Sequence, residues 1–464
     1  MLYIGLDDTD SPRGMCTTYL ALGLSRHISS STGYPLRGRL RLVRLNPTVP
    51  WKTRGNGALC MVLDAPPEEK KKVLDVAVEY VEKNADMDHP STNPGVVVSP
   101  SPPPLDFYWR AVRGIVHKQD AIRVLERVSG VYHGFKNGRG VIGAVAATSW
   151  DPDKTGDWTY EVIAYRDRGK WGTPREILWE SVDAVDRKYP STFNNIDRKN
   201  RHIAIAPNTP CPVLFGIRGD NPEDLVLAKD EIEGERYVDW GLFLTNQATD
   251  DHIVPKRIGE VEEYESVAVA GRVVSHPKDI EGGHVIFQIE EIEGKGDAGG
   301  GKSGKQGGGG ECGETKRVFC AAYEPTKEFR DIARALWPGD VVVCIGSVRP
   351  KDDKTLPGGG APLGGDMKTI NLEKLVVART VDRNVKVANP VCPNCGVHMK
   401  SMGRGGWYRC KKCGHKQQGG EKTEKLPPPP AGIYEVPVCA RRHLSRPLKR
   451  GVKEELKGFL KNYI

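Results

Sequence analysis

Two short cysteine pairs constrain the C-terminal part of this chain more than any other feature. Cys392-Pro-Asn-Cys395 and Cys410-Lys-Lys-Cys413 stand fourteen residues apart. Each pair sets two thiolates on one knuckle, and two knuckles supply the four sulfurs of a tetrahedral zinc site. Gly396 and Gly414 follow the pairs, where a tight knuckle needs permissive backbone. All four positions are thiolates, so none is left open for water and the expected zinc is structural. Four unrelated buried cysteines are the weaker alternative at this spacing. The expectation is a zinc ribbon over residues 381–426, with Cys392, Cys395, Cys410 and Cys413 as ligands. Between the pairs lie Arg404, Trp407 and Tyr408. Basic residues beside aromatics suit RNA, through base stacking and phosphate pairing. Equally, the two aromatics would simply pack so small a ribbon.

The remaining cysteines fit that reading. Eleven is an odd number, and metal ligation explains it better than a disulfide framework. At ~100–200 residues per domain, 464 residues predict three or four domains. No run approaches ~18 uninterrupted apolar residues, so no membrane-spanning helix is expected. The N-terminus, Met-Leu-Tyr-Ile-Gly-Leu-Asp-Asp, carries acids where a secretion signal carries basic residues. A cytoplasmic protein without a membrane partner is expected. Charge is unevenly spread. Residues 381–464 hold 18 basic and 6 acidic residues, a net +12, and the other 380 residues sum to −4. Such an excess suits a polyanion, with nucleic acid the default and a solvated basic tail the alternative.

Hydrophobic periodicity predicts a multidomain α+β chain. In the N-terminal half, strands at 2–6, 40–45, 58–63, 95–99, 158–165, 202–206, 213–217 and 240–244 alternate with helices at 19–29, 66–84, 120–128, 141–148, 176–187 and 222–229. These strands are short and unevenly spaced, which fits mixed α/β layers of ferredoxin-like character better than a long parallel sheet. From about residue 260 the pattern becomes five strands, at 266–274, 283–289, 316–323, 340–348 and 367–377, with one helix at 326–337. That is the layout of an OB-fold barrel, which typically holds single-stranded nucleic acid. Glycine-rich runs at 294–310 and 357–366 read as loop insertions in the barrel. Pro427–Pro430 marks a stiff boundary before a basic tail over 427–464.

The chemistry is expected at the N-terminus. Ile4-Gly5-Leu6-Asp7-Asp8-Thr9-Asp10 sets three carboxylates at the end of a strand, and Gly14-Met15-Cys16-Thr17-Thr18 then opens a helix. Clustered acids need a divalent cation or basic partners, and a helix start favours phosphate. Asp7, Asp8 and Asp10 beside Gly14, Thr17 and Thr18 therefore suggest a Mg²⁺–nucleotide site; the bland alternative is an acidic turn with Thr17 or Thr18 as a helix cap. Two glycine-basic loops would complete it: Lys52-Thr53-Arg54-Gly55-Asn56-Gly57, and the loop carrying Lys136, Gly138, Arg139 and Gly140. Neither follows the P-loop pattern, and ordinary turns are commoner.

Asp7-Asp8-Thr9-Asp10 with Arg13-Gly14-Met15-Cys16-Thr17-Thr18 closely resembles the archaeal tRNA agmatinylcytidine synthetases. So do Asn46-Pro47-Thr48, Thr92-Asn93-Pro94-Gly95, Pro207-Asn208-Thr209-Pro210-Cys211-Pro212, Thr245-Asn246-Gln247-Ala248-Thr249-Asp250 and Ala440-Arg441-Arg442-His443-Leu444-Ser445. The resemblance runs in order through nearly the whole chain. It implies a threonine/cytidine kinase-like ATP domain (1–140), a ferredoxin-like domain (141–258), an OB-fold (259–380) and a zinc ribbon (381–426). It implies that agmatine is joined to C2 of the wobble cytidine of the minor isoleucine tRNA, so that its CAU anticodon reads AUA. ATP is expected to yield AMP and diphosphate, with autophosphorylation of a threonine that maps onto Thr17.

The residues make chemical sense of this. Phosphorylation turns the C2 oxygen of cytidine into a leaving group for the amine of agmatine. Mg²⁺ on Asp7, Asp8 or Asp10 would balance phosphate charge, and Lys136 and Arg139 would orient phosphate oxygens. Arg441, Arg442 and His443 are expected to hold tRNA with the ribbon, and no DNA partner is expected. A non-catalytic RNA-binding adaptor would explain the barrel and ribbon but not the acids. An ATP-dependent nucleotidyltransferase is the third reading.

Overall fold

The computed structural model describes residues 1–53, 55–292, 316–349, 368–403 and 405–463. Arg54, Arg404 and both glycine-rich runs lie outside the described residues. In Leu2–Asp7, alternate side chains serve opposite faces of a sheet. Leu2, Ile4 and Leu6 pack with Leu20, Leu24 and Ile28 of helix Thr17–Thr32 and with Val73, Ala77 and Val81 of helix Lys70–Asn84. Tyr3 faces the other way, into a core made with helices Leu105–Arg113, Lys118–Arg127 and Gly140–Ser149. A strand covered on both faces is the expected centre of a layered α/β body.

The sheet around it has nine strands. Their order is Val131–Gly134, Gly95–Ser99, Leu2–Asp7, Gly57–Leu63, Leu40–Arg44, Asp239–Thr245, Thr159–Tyr165, Val213–Gly219 and Thr192–Phe193. All neighbours are antiparallel except one pair, where Leu40 to Leu42 run parallel to Phe243 to Thr245. At that junction the segments expected as separate domains meet in a single sheet. Helix Trp179–Lys188 and helix Pro222–Ala228 cover the second half through Val182, Val185 and Leu225.

The five barrel strands are Ser266–Val273, His284–Glu291, Arg317–Ala322, Val341–Arg349 and Thr369–Arg379. Pairing runs from the first to the fourth, fifth, third and second, and back to the first through Gly271–Glu291, so the barrel closes. Helix Phe329–Arg334 sits between the third and fourth strands, with Phe329 and Ala333 in the barrel core. The C-terminal segment is docked rather than loose. Strand Gly432–Glu435 pairs with Thr369–Arg379, and helix Glu454–Leu460 sets Leu456 and Leu460 against Ile253, Ala268 and Val343. The cysteine region is a three-stranded ribbon of Lys400–Ser401, Trp407–Arg409 and Lys416–Gln418. Among the described residues, no helix is long and apolar enough to cross a membrane.

Candidate active site and metal centre

The alternation of the first strand ends at Asp7, and the chain turns through Asp8 at φ 57°. The Asn93 amide donates to the Asp8 carbonyl, and the Gly140 amide donates to the Asn93 carbonyl, tying three segments to one corner. The Asp7 carboxylate lies over Gly143, where a Cβ would sit 1.9 Å from Oδ2. Only glycine leaves room for that acid. Asp8 Oδ2 accepts from Arg139 Nε at 3.1 Å and Nη2 at 2.8 Å. Burial, and then the neighbouring Asp8 charge, push Asp7 well above the usual carboxylate range. Burial likewise pushes Asp8 up to about 7, even against the pull of Arg139. These acids suffer from being charged together and would gain from a bound cation.

Thr17 is the first residue of its helix, and its Oγ1 donates to Asp10 Oδ1 at 3.4 Å. Neither Thr17 nor Thr18 is the cap; that position is Cys16, whose sulfur caps no amide and lies 3.2 Å from Thr18 Oγ1. Asp7, Asp8, Asp10, Thr17, Thr18 and Arg139 all line one cavity of about 460 Å³. Its lining continues with Glu161 and Arg44, which lie in no motif singled out from the sequence. Glu161 accepts from Arg218 Nε at 3.1 Å and Gln247 Nε2 at 2.6 Å, with Arg44 Nη2 at 3.9 Å. The loop with Trp51, Lys52 and Thr53 forms a rim, and Cys439, Arg441 and His443 close the far side.

Lys136, Gly138, Gly140 and Gly14 lie outside the cavity lining. Lys136 Nζ donates to the His89 carbonyl at 2.6 Å, away from the cavity lining. Gly138 forms the turn that closes on the Phe135 carbonyl, and Gly140 packs on Gly95 and the Asp7 carbonyl. Gly14, at φ 155°, turns the chain before the helix without lining the cavity. Arg441 pairs with Glu435 at 2.7 Å and donates to Asn194 Oδ1 at 2.6 Å; Arg442 pairs with Glu373 at 3.4 Å. Arg441 and Arg442, expected to hold tRNA, are thus paired with acids of the chain itself. In the ribbon, Trp407 is 46% exposed while Tyr408 is buried with Cys392, Met399 and Cys410. The two aromatics therefore divide the roles between them: Tyr408 packs and Trp407 faces outward.

The four cysteine sulfurs lie within 4.8 Å of one another, with Cys392–Cys413 and Cys395–Cys410 both at 3.4 Å. The backbone repeats itself at the two knuckles, with Gly396 N donating to the Cys392 carbonyl and Gly414 N to the Cys410 carbonyl. This donor set fits a structural Zn²⁺. Among the described residues, no acidic group converges as tightly. An open set of acids in a roomy cavity suits Mg²⁺, which is held by one or two carboxylates together with substrate phosphates.

Three family descriptions match the chain: the TiaS TCKD domain at residues 3–136, the TiaS FLD domain at 138–252 and the TiaS C-terminal zinc ribbon domain at 389–427. The isoleucine-tRNA 2-agmatinylcytidine synthetase TiaS of Archaeoglobus fulgidus is 39% identical, over 97% of either chain. The chain belongs to the TiaS family. A solved complex of TiaS with an isoleucine tRNA and ATP matches it with TM-score 0.78 and 37% identity, over 98% of both chains. A complex of TiaS with an isoleucine tRNA, AMPCPP and agmatine matches with TM-score 0.75 and 35% identity, again over 98% of both chains. TiaS family membership accounts for a chain that joins a nucleotide-type corner, a closed barrel and a zinc ribbon.

Proposed function

We propose that this protein is an ATP-dependent ligase that joins agmatine to C2 of the wobble cytidine of the minor isoleucine tRNA. The observation that carries the reading is the single cavity uniting the acids, the Thr17 helix start and the Glu161 wall, in a chain related over its length to TiaS. The product anticodon reads AUA, and ATP is cleaved to AMP and diphosphate. In this reading residues 1–140 are a kinase-like ATP domain, 141–258 a ferredoxin-like domain and 259–380 an OB-fold that presents the anticodon. The enzyme works in the cytoplasm, with its tRNA.

Asp7, Asp8 and Asp10 would hold Mg²⁺, which offsets phosphate charge when bound. Thr17 accepts phosphate, its hydroxyl steered by Asp10. Arg139, which pairs with Asp8 at 2.8 Å, would orient phosphate oxygens. The target base leaves the anticodon stack to reach the cavity. The ribbon clamps the RNA, Trp407 offering an exposed aromatic face. The test is incorporation of labelled agmatine into a CAU-anticodon isoleucine tRNA transcript. Incorporation that requires ATP, with phosphate on Thr17 by mass spectrometry, is the expected result. ATP use that is indifferent to both agmatine and tRNA would sink it.

A further inference from the structure

We infer that Trp51 is the stacking platform for the anticodon base beside the wobble cytidine, taking the place that the cytidine vacates when it enters the cavity. The inference rests on the reading above that the wobble base leaves its stack. Extrusion uncovers one face of the adjacent base, and an aromatic side chain at the cavity mouth can cover it again.

Trp51 stands at that mouth. It lines the cavity rim together with Val49, Ile115 and Val116. Among the described residues only two tryptophans are exposed, Trp51 at 55% and Trp407 at 46%. Tryptophan ordinarily covers most of its ring, so an indole held in water on a cavity rim offers a face to a partner. Among the described residues, no other ring or cation stacks on the Trp51 indole, and its N–H meets no acceptor. Ile115, 39% exposed, continues the apolar rim on the segment after helix Leu105–Arg113. The two parts of the rim are tied together where the Asn46 amide donates to the Ala111 carbonyl at 3.2 Å.

The loop that carries Trp51 is anchored at its base. It joins strands Leu40–Arg44 and Gly57–Leu63. The Leu45 amide donates to the Asn56 carbonyl at 2.9 Å, and Asn56 Nδ2 donates to the Asn46 carbonyl at 2.8 Å. Asn46 is buried; its Nδ2 donates to the Tyr264 carbonyl at 2.9 Å, and its Oδ1 accepts from Thr48 Oγ1 at 2.6 Å. The Asn46-Pro47-Thr48 motif thus mounts the loop, and Trp51 is displayed from it. A contact displayed on a fixed base loses little ordering entropy when it binds.

The rim favours a nucleobase over the other ligand of the cavity. Agmatine carries an ammonium and a guanidinium at neutral pH. Lys52, next to Trp51 and also on the cavity lining, repels such a dication and attracts a phosphate of the RNA strand. Every base offers a π face for the indole, and the central base of a CAU anticodon is a purine.

The test uses a CAU-anticodon isoleucine tRNA with 2-aminopurine in place of the central adenosine, bound to the intact protein, to Trp51→Ala and to Trp51→Phe. A stacked 2-aminopurine is dim and an unstacked one is bright. The wild-type complex should stay dim, the Trp51→Ala complex should be clearly brighter, and Trp51→Phe should fall between them. Stacking is worth ~1–3 kcal/mol per base, which is about 5- to 150-fold in affinity. Trp51→Ala should weaken tRNA binding within that range, while its KM for agmatine at saturating tRNA stays near the wild-type value. Two results would overturn the assignment. One is equal brightness and equal tRNA affinity in wild type and Trp51→Ala. The other is a raised KM for agmatine with tRNA affinity unchanged, which would make Trp51 a contact of the amine. A wild type that incorporates no agmatine would refute the ligase reading, whereas the fluorescence contrast decides the part of Trp51 in RNA binding independently.

Discussion

Asp7 shows what the acidic corner costs the fold. Its carboxylate is buried over Gly143, and Asp8 adds a like charge beside it. An acid whose folded-state pKa is raised stabilises the protein at low pH, and that stability is lost as pH rises through the raised value. Asp7→Asn should therefore raise the melting temperature at pH 8, change it little at pH 4 and abolish ATP turnover. A melting curve in each buffer checks the sign. The acids and Thr17 are legible in the sequence because they are contiguous and sit where a strand gives way to a helix. Glu161 and Arg44 are not. Each comes from a different strand, and their meeting follows from the parallel junction, which no local pattern encodes. Lys136 illustrates the converse error. Glycines around a lysine read as a phosphate loop, yet its φ of 52° and its bond to His89 make it part of a surface turn.

Among elements, the barrel is the most legible, since its strands are long apolar runs and only one helix interrupts them. Helix Leu105–Arg113 is hidden from such a reading, because the three prolines before it signal a loop. The two-residue strands near residue 200 pair locally with each other and are too short to leave a periodic pattern. The join between barrel and C-terminal segment depends on Glu373. This buried carboxylate meets Arg442 at 3.4 Å, Ser347 Oγ at 2.9 Å and His252 Nε2 at 3.2 Å. Burial alone would raise its pKa, but Arg442 and His252 outweigh that and hold it well below the usual range. Its contribution is present above the unfolded value of ~4.3 and is lost as pH falls towards the folded one. Glu373→Gln leaves Arg442 without its partner and should cost about 3 kcal/mol at neutral pH. The penalty should shrink in acid, as urea unfolding at pH 7 and pH 3 would show. The ribbon depends instead on its metal. Too small to bury a core, it should unfold when Cys392→Ser removes a ligand. Metal analysis should then find no zinc, and tRNA affinity should fall more than ATP affinity.

At the scale of the whole molecule, the C-terminal arm is what makes one machine of the sheet and the barrel. The charge count exposes its basic excess, and the natural inference from charge alone is a strip that grips RNA. The structure uses much of that charge internally. Arg450 pairs with Asp157 and Asp220 at 2.8 Å each, Arg446 also reaches Asp157, and Lys453 pairs with Asp251 at 2.6 Å. Those acids belong to the sheet body and its exit, while Leu456 and Leu460 cover an apolar face of the barrel. A count of charges cannot tell a partner's phosphate from the chain's own carboxylate; only the packing does. Removing residues 440–464 should therefore do more than weaken RNA binding. It strips His443 from the cavity, leaves Asp251 and Asp157 short of partners and uncovers Val343 and Ala268. The truncated protein should melt at a clearly lower temperature and lose Thr17 phosphorylation even without tRNA present. Deleting the ribbon, residues 389–426, should do the reverse. It should leave the main melting transition in place, weaken tRNA binding and flatten its salt dependence, because the exposed cations go with it. Calorimetry on the two deletions, with tRNA affinity measured at low and high salt, separates the arm that builds the site from the module that grips the RNA. Equal melting temperatures for the truncated and intact chains would reject this division of labour.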